Sequence, residues 1–144
     1  MADTLLVGID GSDGGARAAN FAAQRANDSQ ARLVVAYVIE WSPYTFNTPQ
    51  ENEVRHKRRE EEIERAEKEV IAPALAALKT HGVDAKGIVR HGHAAEVLSS
   101  LAGEEKASQI FIGRRGLTKL QALLFGSTAG SLVQISPVPV TVIP

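Results

Sequence analysis

The sequence predicts an α/β protein: a doubly wound parallel sheet with helices on both faces, Rossmann-like in layout. Two observations carry that prediction. Short β-branched apolar runs recur along the chain and read as buried strands. Helical patterns with three-and-four apolar spacing lie between them, and strict alternation of this kind implies parallel strands joined by crossover helices. Crossovers are almost always right-handed, which narrows the choice to a doubly wound sheet.

The elements follow in order. Leu5-Leu6-Val7-Gly8-Ile9 is the first strand, broken by Asp10-Gly11-Ser12-Asp13-Gly14-Gly15. Ala16 to Ala26 is a helix with Ala19, Ala22, Ala23 and Ala26 on one face. Leu33 to Ile39 is the second strand, and Trp41 to Pro49 a loop. Glu51 to Thr80 is one long helical pattern whose core stripe runs Ile63, Ala66, Val70, Ala74, Ala77 and Leu78. Pro73 should kink or interrupt it, and Gly82 should end it. Its charged front half reads as a solvated face laced with i,i+4 pairs.

Asp84 to Arg90 is a weaker third strand, His91-Gly92-His93 a surface turn, and Ala94 to Lys106 a helix. Gln109 to Ile112 is the fourth strand. Gly126-Ser127 opens the last helix, and Val138 to Ile143 is the fifth strand.

Composition bounds the function. At 144 residues the chain fits one domain with an independent core. A hydrophobic share of 44% and a charged share of 23% mark a soluble globular protein. The net charge of −1 argues against nucleic acid as a partner. The absence of cysteine excludes disulfides, thiolate metal sites and a cysteine nucleophile. No apolar run approaches the roughly 20 residues of a transmembrane segment. Met1-Ala2-Asp3-Thr4 carries no basic, apolar leader, so a cytoplasmic location is expected.

One run carries chemistry. Gly113-Arg114-Arg115-Gly116 follows the fourth strand, and Gly126-Ser127-Thr128 opens the last helix after a nine-residue gap. Glycine lets backbone approach a ligand, and a helix N-terminus offers unpaired N–H groups to an anion. Ser127 and Thr128 add hydroxyls, and Arg114 and Arg115 add charge. The spacing is neither G-x-x-x-x-G-K-[ST] nor G-x-G-x-x-G, so the two commonest phosphate loops are excluded. Ligands of such sheets bind at the carboxyl ends of the strands, where strand order reverses. If strands one and four are neighbours there, Asp10 faces the glycine loop, as a bridging divalent cation would require. Plainer roles exist for the same residues: an Asx turn at Asp10-Gly11-Ser12 and a helix cap at Ser127 or Thr128. Capping and phosphate binding use the same helix end.

Together these residues resemble the universal stress protein family across essentially the whole chain. Gly113, Gly116, Gly126 and Ser127 match its signature G-x2-G-x9-G-[ST]. Val7-Gly8-Ile9-Asp10-Gly11-Ser12 resembles its first strand and turn, Ala36-Tyr37-Val38 its second strand, Gly92 the glycine after its third, and Pro139-Val140-Thr141-Val142 its closing strand. The resemblance implies a five-stranded sheet in order 3-2-1-4-5 and, with the signature intact, the ATP-binding branch with magnesium or manganese. Carried over by position, Asp10 lies near ribose and metal. Val38 meets adenine through its backbone, and Gly113, Gly116, Gly126, Ser127 and Thr128 hold ribose and phosphates. The resemblance also implies a homodimer through the last strand, Val138 to Ile143. Arg114 departs from the small polar residue usual there; it either tightens phosphate binding or points to solvent.

Two classes of function remain. One is a nucleotide-dependent regulatory switch or sensor. The alternative is a weak ATPase or phosphotransferase using the metal with Arg114 and Arg115. Hydrolysis needs an aligned water, and no residue clearly positions one, so the regulatory reading is preferred. An oxidoreductase using Glu40 on a ribose fails for want of G-x-G-x-x-G. His91-Gly92-His93 lacks a partner at metal-ligand spacing. Trp41, Tyr44 and Phe46 form either a flap over adenine or, the preferred reading, cover for a sheet edge or dimer contact.

Overall fold

A computed structural model of the chain describes residues 3–40, 49–114 and 127–144, with the backbone alone for 49–52. Trp41, Tyr44, Phe46, Arg115, Gly116 and Gly126 lie outside the described residues.

The order is β1 (Thr4–Ile9), α1 (Asp13–Ser29), β2 (Arg32–Glu40), α2 (Pro49–Ala66), a π turn (Glu67–Ile71), α3 (Ala72–Thr80), β3 (Ala85–Gly92), α4 (Ala94–Glu104), β4 (Gln109–Gly113), α5 (Ser127–Ile135) and β5 (Val140–Ile143). The five strands are parallel and stand in the order β3-β2-β1-β4-β5. The order reverses between β1 and β4, whose register pairs Gly8 with Ile112. The predicted sheet and its neighbours at the switch point are therefore what the chain forms.

Period-two alternation divides the core into two layers. Leu5 and Val7, Leu33 and Val35, and Phe111 face α1 and α3. Leu6, Val34 and Ala36, with Ile110 and Ile112, face α4 and α5. Because both faces are covered, the strands read as continuous apolar runs. On α1, Ala18, Ala19, Ala22, Ala23 and Ala26 are all buried, and their small side chains let the helix lie close to the sheet.

Three predicted boundaries move. His91 and Gly92 end β3 rather than forming a turn, because β2 continues beside them and pairs Ile39 with His91 and Glu40 with Gly92. β5 begins at Val140, not Val138; Pro139 has no N–H for a ladder bond, although its carbonyl accepts from Ile110 N at 2.9 Å.

The third is the long helix. Pro73 cannot donate a helical hydrogen bond, and its ring crowds the carbonyl four residues back. The chain widens into the π turn just before it, and Ala72 N–H donates to Glu67 O. The extra residue shifts the core stripe. Ala66 is followed by Ile71 and then Leu78 as buried positions, while Val70 and Ala74 are half-buried and Ala77 is exposed. Gly82 does stop the helix: its N–H bonds to Lys79 O and that of Val83 to Leu78 O.

Candidate nucleotide site at the carboxyl edge

The edge is built from the end of β1 outward. Ser12 is the N-cap of α1, and its hydroxyl accepts from Gly15 N–H at 3.1 Å. The same hydroxyl donates to Asp10 Oδ1, which also accepts from Ser12 N–H at 3.0 Å. Gly11, at φ 84°, supplies the left-handed step that lets the chain fold back within two residues. A Cβ on Gly15 would lie 3.2 Å from Asp10 Oδ1 and 3.3 Å from Asp10 N, a tight fit that a side chain here would press on the Asp10 turn. Asp10 is thus a carboxylate of fixed orientation. The predicted Asx turn at Asp10-Gly11-Ser12 is present, and it fixes the carboxylate at the end of β1.

Across that point β4 ends at Gly113. Arg114 follows, held to β5 by a 2.7 Å bond from its N–H to Ile143 O, and it is exposed. Beyond its last pairing with β1, at Tyr37, β2 runs on through Val38 to Glu40 against β3 alone. Val38 therefore sits where one main-chain edge of β2 looks over the end of β1. Its side chain packs into the α4–α5 layer.

Helix N-termini at this edge differ in charge. The first turn of α1 holds Asp13 beside Ser12 and Asp10. At α4, Glu96 lies in the first turn, and Glu40 Oε1 reaches across to accept from Ala94 N–H at 3.2 Å. Glu40 stands in for the cap that His93 does not provide. The first turn of α5, which opens with Ser127 and Thr128, carries no acidic residue. A helix N-terminus of this kind suits an anion.

Tyr37, Glu62 and His91 also reach this edge; neither Tyr37 nor Glu62 carries a site signal in the sequence. His91 Nε2 lies 2.9 Å from Glu62 Oε2. Burial first, then the charges of Asp10 and Glu62, raise the Tyr37 phenol above its ordinary range. Glu62 was hidden inside a charge run that looks solvated throughout; nothing local distinguishes it from Glu60 or Glu61.

Among the described residues no group of three or more His, Asp or Glu side chains converges as a metal site. The single carboxylate of Asp10 still suits a hard cation that keeps waters and takes further oxygens from phosphate. No helix of the described residues is long and apolar enough to cross a membrane.

Comparison with known proteins matches residues 1–144 to the model of the universal stress protein family. The universal stress protein in the QAH/OAS sulfhydrylase 3' region of Thermus aquaticus is 36% identical over 143 residues, covering 99% of each chain. Among solved structures, the universal stress protein UspA from Lactobacillus plantarum superposes with a TM-score of 0.83 at 24% identity, over 99% of this chain and 97% of that one. A universal stress protein crystallised in complex with cAMP gives a TM-score of 0.66 at 26% identity, over 99% of this chain and 96% of that one.

Proposed function

Since this chain belongs to the universal stress protein family, we propose that it is an ATP-binding regulatory module, a nucleotide-dependent dimeric switch rather than a working enzyme. The observation that carries the proposal is that unlike ends stand at the same carboxyl edge of the sheet. Asp10 closes β1 with a fixed carboxylate, and α5 opens with hydroxyls and no acid in its first turn. A nucleotide with a divalent cation is complementary to both: cation to carboxylate, phosphates to helix N-terminus. The family relative solved with cAMP supports a nucleotide as ligand class.

In this reading Asp10 holds magnesium or manganese and the ribose side, and the backbone at Val38 meets adenine. Gly113, Gly116 and Gly126 let the chain close on ribose and phosphates; Ser127 and Thr128 donate to phosphate. Arg114 and Arg115 add charge at the phosphate end. The cation, when bound, neutralises phosphate charge. β5 is an edge strand of the sheet and pairs with its copy in a second subunit.

Calorimetric titration with ATP, ADP, AMP and cAMP, each with and without magnesium, tests this. Binding of ATP that strengthens with magnesium is expected. Asp10→Asn should weaken it roughly tenfold, the loss of one charge-assisted contact. Binding of none of the four overturns the proposal. Conversion of ATP to ADP during the titration favours the ATPase alternative.

A further inference from the structure

The helix before β3 is longer than the sheet it covers. Pro49 to Thr80, counted through the π turn, spans about 48 Å at the usual helical rise, whereas β3 spans about 26 Å. Glu62 meets His91 next to the last residue of β3, and Ile71 meets Gly87 about two and a half helical turns below. Everything before Glu62 therefore runs past the carboxyl edge, an arm of about 20 Å. Little apolar surface holds it. From residue 53 to residue 65 no side chain is buried, and Arg55, Arg59 and Ile63 are half-buried. Arg55 and Arg59 are themselves engaged in polar contacts.

Two features mark how such an arm would be held. Its base is the π turn at Glu67–Ile71, where the ordinary helical ladder is already broken. Its grip is the bond from Glu62 to His91, whose ring is largely buried, with 12% of the side chain exposed. The grip lies beside the candidate site. Tyr37 pairs with Ile9, the residue before Asp10, and its neighbour Ile39 pairs with His91. The carboxylates of Asp10 and Glu62 both bear on the Tyr37 phenol.

We propose that the front of α2 is a lever, hinged at the π turn and latched by Glu62–His91, and that ligand occupancy at Asp10 is read out through this latch. The second half rests on the nucleotide reading; the first does not. Through the Ile9–Tyr37 and Ile39–His91 pairings, a ligand that fixes the end of β1 also steadies the end of β3 that carries His91, and the latch tightens. By linkage, breaking the latch weakens nucleotide binding.

Hydrogen exchange followed by mass spectrometry on the intact chain tests both halves. Without nucleotide, His91→Ala should speed exchange across residues 53–66 roughly three- to tenfold, as expected for one hydrogen bond to a partly exposed partner, with β1 and β4 unchanged. Arg90→Ala, which breaks the pair with Glu104 on the other face, should leave residues 53–66 unchanged. If His91→Ala does not fold, Glu62→Ala at the exposed partner gives the same reading. Exchange equal to the parent in the latch variants overturns the lever. ATP with magnesium, its binding measured by heat in the same preparation, should slow exchange of residues 53–66 at least twofold in the parent and not in His91→Ala. Binding that leaves those residues unchanged or faster overturns the coupling and spares the nucleotide reading. Absence of any heat overturns the nucleotide reading and the coupling with it, while the lever stands or falls on the ligand-free data.

Discussion

Ile71 occupies the space that Gly87 leaves: a Cβ built on Gly87 would lie 2.4 Å from Ile71 Cγ2. The π turn brings Ile71 into that position, so the glycine in β3 and the irregular helix are parts of one packing solution. Gly87→Ala should destabilise the fold by about 1–3 kcal/mol through overpacking. Ile71→Ala should cost about 2–5 kcal/mol alone. The double variant should lose less than the two effects added, since each change removes the other's clash or void. Urea unfolding of the four proteins measures the coupling.

Ser12 joins two functions at one hydroxyl, capping α1 and orienting Asp10. Ser12→Ala should lower stability by about 0.5–2 kcal/mol, the usual effect of losing an N-cap. It should also weaken ATP binding although Ser12 is not assigned to the ligand. Ser12→Thr keeps the hydroxyl and should restore both. Loss of stability with unaltered binding would show that Asp10 needs no orienting partner.

Tyr37 carries a pH dependence whose sign follows from its surroundings. Burial and the carboxylates of Asp10 and Glu62 disfavour the phenolate, so the phenol ionises at higher pH folded than unfolded. The stabilisation is complete below the unfolded value, about 10, and is lost as pH rises through it toward the folded value. Thermal unfolding of Tyr37→Phe should therefore fall less steeply with pH above about 10 than that of the parent. Parallel curves would contradict the assignment.

Gln30 and Lys106 end α1 and α4 in the left-handed region, at φ 57° and 54°. Each N–H that follows bonds back to a helix carbonyl, Ala31 to Ala26 and Ala107 to Ala102, both at 2.8 Å. Glycine relieves left-handed strain but adds unfolded-state freedom, so Gln30→Gly should gain about 0.5 kcal/mol net. Urea unfolding midpoints check the sign.

What could be read from the residues was what is local and periodic. The strands were legible as short apolar runs because both faces of a parallel sheet are covered. The alanine face of α1 was legible because an uninterrupted helix keeps its period. The stripe of the long helix held at Ala66 and Leu78 but missed Ile71 and wrongly took in Ala77, because the π turn between them inserts a residue. The sequence showed Pro73 but not where the helix would absorb it. Glu40 capping α4 and Glu62 holding His91 were invisible, since each joins residues tens of positions apart. At the site, the turn at Asp10 and the helix start at Ser127 announced themselves through residue type. That both lie at the carboxyl edge, beside the place where strand order reverses, is a relation of topology and not of pattern.

The central claim is that a nucleotide binds at the crevice between the ends of β1 and β4. The most direct measurement is amide chemical-shift mapping of the isotope-labelled full chain as ATP and magnesium are added. The account predicts saturable shifts at Ile9 to Ser12, Val38 to Glu40, Gly113 to Arg114 and Ser127 to Ala129, with the amino ends of the strands unmoved. Shifts centred elsewhere, or none at millimolar ATP, would contradict it.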